Sequence, residues 1–232
     1  MNIDAFILCG GLGKRLNKIY PNTPKPLVKV KTNLVFIDLV INFLIDNEVS
    51  KITLCIFYLK DKMLNFIKRH NKKLLCSIEE VALGTGGAIK KAISNKHSNT
   101  ILIVNGDSIC NVNLNDVLSF HESLDSDITV VVSSNFECRL DVGFIEIDYN
   151  DNILKFSEKD KIKGTNFVNA GIYFIKKKYL INYDLEKFSL ETDFIPNCLM
   201  KYSVKAYKTS EKIHDIGTPE RLEKFRNIFE RY

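Results

Sequence analysis

A run of mostly apolar residues, I-D-A-F-I-L-C at 3–9, feeds directly into G-G-L-G-K-R at 10–15. This junction limits the fold more than any other stretch. The run reads as a buried strand, and the glycines that follow form a tight turn at its carboxyl end. Glycine carries no Cβ, so backbone N–H groups at Gly10, Gly11 and Gly13 can approach an anion closely and tolerate positive φ. Lys14 and Arg15 add positive charge beside that nest. Further on, T-P-K-P-L at 23–27 sets Lys25 between two prolines, which fix their own φ and restrict the residue before each. A stiffly held cation near a phosphate nest suits group transfer at phosphorus. The turn is not a Walker A loop, because no Ser or Thr follows a Gly-Lys pair. It also misses the dinucleotide fingerprint, since Leu16 stands where a third glycine belongs.

Downstream the pattern alternates. Phe36, Leu39, Val40, Phe43 and Leu44 recur at helical spacing, and 52–58 reads as a strand. Met63, Leu64 and Ile67 mark a second helix, 74–78 a third strand, and A-L-G-T-G-G-A at 82–88 opens a helix over about 86–94. The apolar residues 101–104 read as a strand buried on both faces. This order predicts an α/β fold with a doubly wound, mostly parallel, Rossmann-like sheet. The helix at 114–124 and the strand at 128–132 extend the series. After 133, short strands at 143–148, 153–156 and 168–175 predict a small antiparallel addition. Ser189 caps a helix to 200 that Pro196 kinks, a strand spans 204–207, and Thr218 with Pro219 starts the last helix. The expectation is one domain over 1–232, with a nucleotide half to 133 and an acceptor half over 134–232.

Composition narrows the partners. A net charge of +5 over 232 residues, with scattered lysines, favours a small anion over nucleic acid. The six cysteines form no C-x-x-C pair and no zinc spacing, so most read as small buried hydrophobes in a reducing cytoplasm. No signal peptide opens the chain. The most apolar window, 34–45, is interrupted by Asp38 and Asn42 and is too short to span a bilayer. No membrane partner is expected, and the state of assembly is left open, a homo-oligomer included. His70, His97 and His121 sit in polar helix-end contexts and are given no role. His214 reads as a packed strand residue.

Two carboxylates carry the next step. Asp107 ends the 101–104 strand after Gly106, where open α/β sheets bind ligands. Asp215 stands in H-D-I-G just before a helix start. As bare residues, each is either a turn former or a ligand for a hard Mg²⁺ that also takes phosphate oxygens. Taken together, G-G-x-G-x-R-L, P-K-P, N-G-D at 105–107 and D-I-G-T-P at 215–219 resemble the motifs of the sugar-phosphate nucleotidyltransferases, in order along essentially the whole chain. That resemblance implies that Asp107 and Asp215 bind a catalytic Mg²⁺ and that the glycine loop with Arg15 holds the triphosphate. It also implies that Lys25 stabilises charge at the α-phosphate as a sugar 1-phosphate attacks in line and pyrophosphate leaves. No side-chain nucleophile is required, and catalysis is positioning plus electrostatics. Cys9 replaces the usual small residue and Lys14 the common Thr or Ser. Cys9 reads either as a reactive thiol or as a buried strand end. The chain stops soon after the Asp215 motif, so the β-helix of bifunctional relatives and its acetyltransferase activity are not expected.

Base and sugar rest on finer matches. S-I-E-E-V-A-L-G-T-G-G-A at 77–88 resembles the family's base loop, and the nucleotide set it implies is Leu8, Glu79, Leu83, Gly84, Thr85 and Asn105 with the glycine loop. Thymidylyl- and uridylyltransferases commonly carry Gln where this chain has Glu79. A carboxylate can accept both N1–H and N2–H of guanine, which favours GTP, although as a bare residue Glu79 also reads as a solvated loop carboxylate. In the acceptor half, Gly143 lets backbone approach a hexose ring, and Asn169 resembles the family's sugar-binding asparagine. Glu158 and Lys159 resemble the pair that meets sugar hydroxyls and phosphate, though a surface charge pair is equally open. F-S-L-E-T-D-F-I-P at 188–196 resembles the D-glycero-α-D-manno-heptose 1-phosphate guanylyltransferases, where Glu191 and Asp193 either reach the sugar or complement the helix dipole. The leading expectation is a guanylyltransferase making GDP-heptose for a surface polysaccharide. Uridylyl or cytidylyl transfer to a hexose 1-phosphate or phosphocholine is one alternative. A catalytically dead homologue that binds a sugar nucleotide and regulates a partner is another.

Overall fold

A computed structural model describes residues 3–94, 96–136, 142–158 and 164–229. β1 (Asp4–Leu8) is the buried opening run. After the glycine turn comes a small hairpin of β2 (Lys29–Lys31) and β3 (Leu34–Val35), too short for periodicity to reveal. α1 (Phe36–Asp46), β4 (Lys51–Ile56), α2 (Lys60–Arg69) and β5 (Leu75–Ile78) follow the expected alternation. α3 spans Gly84–Ala92, starting earlier than its apolar pattern suggests, because Gly84 turns the chain at φ +78°. Next come β6 (Thr100–Asn105), β7 (Ser108–Cys110), α4 (Leu114–Ser123) and β8 (Ile128–Ser133). β9 (Phe144–Ile147), β10 (Ile153–Ser157), β11 (Phe167–Lys176) and α5 (Lys177–Ile181) lead to a π turn at Leu190–Phe194. Ser189 caps that turn as expected, its hydroxyl accepting from Glu191 and Thr192 N–H. The chain then enters α6 (Ile195–Cys198), which is shorter than the helix expected to reach 200, with Pro196 in its first turn. β12 (Val204–Thr209), β13 (Ile213–Asp215) and α7 (Pro219–Phe229) complete the fold.

The fold is the expected doubly wound α/β sheet with antiparallel additions. Strands β5, β4, β1 and β6 run parallel, and β8 and β12 point the same way. One expectation fails. β8 does not extend the parallel series beside β6, and β11 is no peripheral strand. β11 lies between β6 and β8, antiparallel to both, and its first residues also pair β9. The reason is apolar content. All six residues from Ala170 to Ile175 are buried, which leaves no polar face there, and such a strand is stable only inside a sheet. Side chains of β1 show how both faces are covered. Ala5 and Ile7 pack with Ile37, Ile41 and Leu44 of α1, whereas Phe6 packs on the opposite face with Ile89, Ile103 and Ile175.

His121 belongs to this core rather than to a polar helix end. It is 1% exposed, its Nδ1 pairs with Thr129 Oγ1 at 2.8 Å, and Nε2 is buried with no hydrogen-bond partner. Burial, and next the charge of Lys176, push its pKa down to about 4. Between about pH 6.5 and 4 the unfolded chain therefore binds a proton that the folded chain refuses. Stability falls as pH drops through this window, by about 3 kcal/mol from this residue. Denaturant unfolding of wild type and His121→Gln at pH 7 and 4.5 checks this. The variant is expected to lose much of the slope, and an unchanged slope counts against it.

Candidate active site

The loop after β1 is built for close approach. Gly10 packs under a carboxylate, and a Cβ there would lie 3.2 Å from Glu79 Oε1 and 3.3 Å from Phe57 Cβ. Gly11 faces open space, and of the loop glycines only Gly13 takes positive φ, at 57°. Asn17 pins the turn, its amide donating to Leu12 O at 2.8 Å and its N–H to Gly13 O at 2.9 Å. Lys14 is exposed. Lys25 opens a single 3₁₀ turn (Lys25–Leu27) directly after Pro24, and its ammonium donates to the carboxylate of Asp107. Cys9 is buried and its thiol is pushed well above the usual range by that burial, so the reactive-thiol reading is set aside.

Two short strands bring the aspartates together. Gly106 N–H donates to Leu8 O at 3.1 Å, and a Cβ on Gly106 would sit 2.7 Å from that oxygen. The bare backbone lets the end of β6 lie against the end of β1, which carries Asp107 to the glycine loop. β13 pairs antiparallel with β7, with Asp215 opposite Ser108, and Ile216 N–H donates to Asp107 O at 3.1 Å. Asp215 Oδ1 accepts from Gly217 N–H at 2.9 Å and from Arg221 Nη1 at 3.0 Å. Each aspartate thus faces a cation, Lys25 or Arg221. The position of Asp215 depends on a three-residue pairing across more than a hundred residues of chain, which no local pattern announces.

Two cavities adjoin at Lys25, Asn105, Asp107 and Glu191. One, of about 170 Å³, is lined by Leu8, Cys9, Gly11, Pro26 and Thr85 as well. The other, of about 230 Å³, adds Arg15, Gly143, Glu158, Asn169, Asp215 and Arg221. Residues from both halves of the sequence therefore meet at the carboxyl ends of β1 and β6, where α/β sheets place ligands.

The base loop holds together differently from its sequence reading. Glu79 is no solvated carboxylate. It is 4% exposed, Oε2 accepts from Leu83 N–H at 3.0 Å, and burial raises its pKa despite that bond. The backbone of Leu83 braces the loop, its N–H donating to Glu79 at 3.0 Å and its carbonyl accepting from Phe188 N–H at 2.9 Å. Thr85 turns toward the acceptor side, donating to Glu191 Oε2 at 2.6 Å and accepting from Leu190 N–H at 2.8 Å. Gly84 lies directly beneath the Phe188 carbonyl.

On the acceptor side, Glu191 accepts from three hydroxyls: Thr85 at 2.6 Å, Ser189 at 2.8 Å and Tyr173 at 3.2 Å. Asn169 donates to Tyr173 Oη at 2.6 Å and accepts from Gly171 N–H at 2.9 Å. Gly171, at φ +74°, makes the bulge in β11 that aims Asn169 into the cavity, and Asn105 packs against it. A Cβ on Gly143 would meet Glu158, Asn169 and Phe156, and Gly143 itself lines the acceptor cavity. Burial, and next the charge of Glu191, push Glu158 up to about 7. Asp193 points back to its own turn, where Oδ2 accepts from Ser189 N–H at 2.7 Å. It caps the turn and is absent from both cavities. Lys159 lies outside the described residues. Tyr173, Gly171, Ser108 and Arg221 were not singled out from sequence. Asn-Ala-Gly within a strand was the available signal for the first two, since an interior glycine marks a bulge.

A family model described as Nucleotidyl transferase matches residues 4–230. The chain belongs to the nucleotidyl transferase family. The D-glycero-alpha-D-manno-heptose 1-phosphate guanylyltransferase of Aneurinibacillus thermoaerophilus is 29% identical to this transferase over 233 residues, covering 99% of this chain and 100% of that one. The protein of the same name from Campylobacter jejuni is 30% identical, covering 94% and 96%. The crystal structure of HddC from Yersinia pseudotuberculosis matches with a TM-score of 0.85 at 32% identity, covering 98% and 99%. HddC complexed with GMP-PN gives 0.84 at 31%. Among the described residues of this transferase, no helix is long and apolar enough to cross a membrane.

Proposed function

We propose that this transferase moves GMP from GTP to D-glycero-α-D-manno-heptose 1-phosphate, giving GDP-heptose and pyrophosphate. The observation that carries the reading is the place of Lys25 and Asp107 in the wall between two cavities, one beside the glycine loop and one that also holds Asp215, Asn169 and Glu158. An oxygen of the acceptor phosphate attacks the α-phosphorus as the bond to the β-phosphate oxygen breaks. Lys25 offsets charge that builds on the α-phosphate, and Arg15 with the loop N–H groups receives the pyrophosphate end. The acceptor nucleophile is already ionised, so no protein base is needed.

Mg²⁺ fits this site. Asp107 and Asp215 are hard oxygen donors from adjacent strands, and each already faces a positive group. Mg²⁺ commonly takes one or two carboxylates and fills its other positions with phosphate oxygens and water. When bound it would offset phosphate charge.

Two features support the choice of base and acceptor. Relatives named for heptose 1-phosphate guanylyl transfer align over nearly their whole lengths. Glu79 lines neither cavity and its Oε2 is held by Leu83 N–H, so its part in reading guanine N1–H and N2–H rests on the resemblance of the 77–88 loop, with Oε1 beside Gly10 as the oxygen left to accept. Pyrophosphate release measured for each NTP with a panel of sugar 1-phosphates tests the reading. GTP with the heptose is expected to dominate, and release only with UTP would defeat it. Glu79→Gln is expected to lower kcat/KM for GTP about ten- to hundredfold, the worth of a charged hydrogen bond. An unchanged value removes Glu79 from base recognition.

A further inference from the structure

Thr85 belongs to the loop whose sequence resembles a base-reading segment, yet its hydroxyl serves the other substrate's side. Oγ1 accepts from Leu190 N–H at 2.8 Å, which leaves its hydrogen for Glu191 Oε2, 2.6 Å away. Ser189 is used in the same way. Its Oγ accepts from the N–H groups of Glu191 and Thr192 at 3.1 and 3.2 Å and donates to that same Oε2 at 2.8 Å. Backbone donors thus orient both hydroxyls before either reaches the carboxylate, and the two hydroxyls fill the two lone-pair sites of Oε2. Oε1 carries the longest of the three bonds, from Tyr173 Oη at 3.2 Å. Glu191 lines both cavities, whereas Thr85 lines the one beside the glycine loop and is absent from the one that holds Asn169 and Glu158. The other ties between the two segments are made by backbone: Phe188 N–H to Leu83 O, and Gly86 and Gly87 N–H to Phe188 O. Thr85 adds the link that ends on a group facing the acceptor cavity.

We propose that Thr85 is a positioning residue for the acceptor: its hydroxyl fixes Glu191 so that Oε1 receives a hydroxyl of the sugar. The inference rests on the cavity beside Asn169 and Glu158 being the acceptor site. Two charge-assisted bonds on one carboxylate oxygen hold the plane of the group still, so the second site of Oε1 has one direction. An acceptor group ordered in advance costs less when the ligand arrives. Tyr173 sets the partner group beside it, because its Oη also takes the amide of Asn169 at 2.6 Å. A carboxylate that accepts and an amide that donates are therefore joined through one phenol, an arrangement that suits hydroxyls on neighbouring ring carbons. By this route the base loop takes part in choosing the sugar.

A mutant cycle on the acceptor KM tests this, run with the nucleotide and sugar 1-phosphate that release pyrophosphate fastest. If that pair is not GTP and the heptose, the proposed function fails while the cycle still decides the role of Thr85. If no pair turns over, the calorimetric Kd of heptose 1-phosphate takes the place of KM. Thr85→Val is expected to raise the acceptor KM about tenfold and the nucleotide KM less than about threefold. Thr85→Ser keeps the hydroxyl and is expected to stay within about threefold of wild type for both. Glu191→Gln is expected to raise the acceptor KM about ten- to hundredfold. Combining Thr85→Val with Glu191→Gln is expected to add nothing beyond Glu191→Gln alone, because Thr85 acts through that carboxylate. Acceptors lacking single hydroxyls give a second readout. Wild type is expected to discriminate most against the loss of one hydroxyl, and both single variants are expected to lose discrimination at that same position. An unchanged acceptor KM in Thr85→Val, a rise confined to the nucleotide, or additive losses in the double variant overturns the assignment. So does a serine variant as impaired as the valine one, or lost discrimination at different hydroxyls in the two single variants.

Discussion

Lys25→Ala is expected to lower kcat by about 10²–10³-fold, the loss typical of one preorganised donor at a developing charge. The expectation has two physical parts. Lys25 is held on a short turn between prolines and largely buried, so its ammonium is positioned before any substrate arrives. Its removal also leaves the carboxylate of Asp107 facing a polyphosphate with one fewer cation nearby, which raises the cost of bringing negative charge into the site. Because the effect falls on the charge that develops during transfer, kcat is expected to fall more than the KM for GTP rises. Lys25→Arg is expected to recover only part of the rate, since a planar fork cannot occupy the place of a compact ammonium. Steady-state pyrophosphate release decides. Near-normal turnover in the alanine variant would end the role assigned to Lys25.

The largest effect on stability is expected at Gly84. An alanine there meets two separate costs. Its φ of +78° is disfavoured for a residue with a Cβ, by about 1–2 kcal/mol, and the new methyl group points into the backbone carbonyl of Phe188. A backbone atom cannot swing aside, so overpacking adds roughly 1–3 kcal/mol. Gly164→Ala is the matched control: φ is +86° and no atom of the described residues lies within 4 Å. Urea unfolding is expected to show a loss of about 3 kcal/mol at Gly84 and about 1 kcal/mol at Gly164. Equal losses at both sites would show that the contact with Phe188 costs nothing. The Gly84 variant is also expected to raise the acceptor KM. The N–H groups of Gly86 and Gly87 bond to that same carbonyl, and Glu191 is held by Thr85 next door.

Much of this was legible before any coordinates. The four apolar residues of β6 and the glycine turn after β1 state their burial and their turn in adjacent residues, so local rules read them. Pro24 and Pro26 likewise announce the turn that holds Lys25. What escaped depends on contacts between distant segments. β11 looks like one more short strand, because nothing local says that it is inserted between β6 and β8. Arg221 looks like an ordinary helix cation, and only the pairing of β13 with β7 turns it toward the cavity. Asp193 stood open in the sequence between two readings. A sugar contact and a first-turn acid complementing the helix dipole were both possible, and in the structure its carboxylate accepts from the backbone N–H of Ser189. His121 was misread because a helix end can still face inward when a strand such as β8 lies beneath it.

The insertion of β11 has a consequence for synthesis of the chain. A ribosome that has released residues up to Ser133 has already made the phosphate loop, Lys25 and Asp107. It has not yet made the strand that closes the edge of β6 and the edge of β8. Until Lys176 emerges, the nascent chain carries the open edge of β6 and a β8 with no strand partner on either side, the condition in which chaperone binding or edge-to-edge association is most favoured. Closing those edges requires contacts far apart in sequence, which places this step among the slow ones of folding. The same strand brings Asn169 and Gly171 to the acceptor cavity, while Glu191 and Asp215 arrive only with later segments.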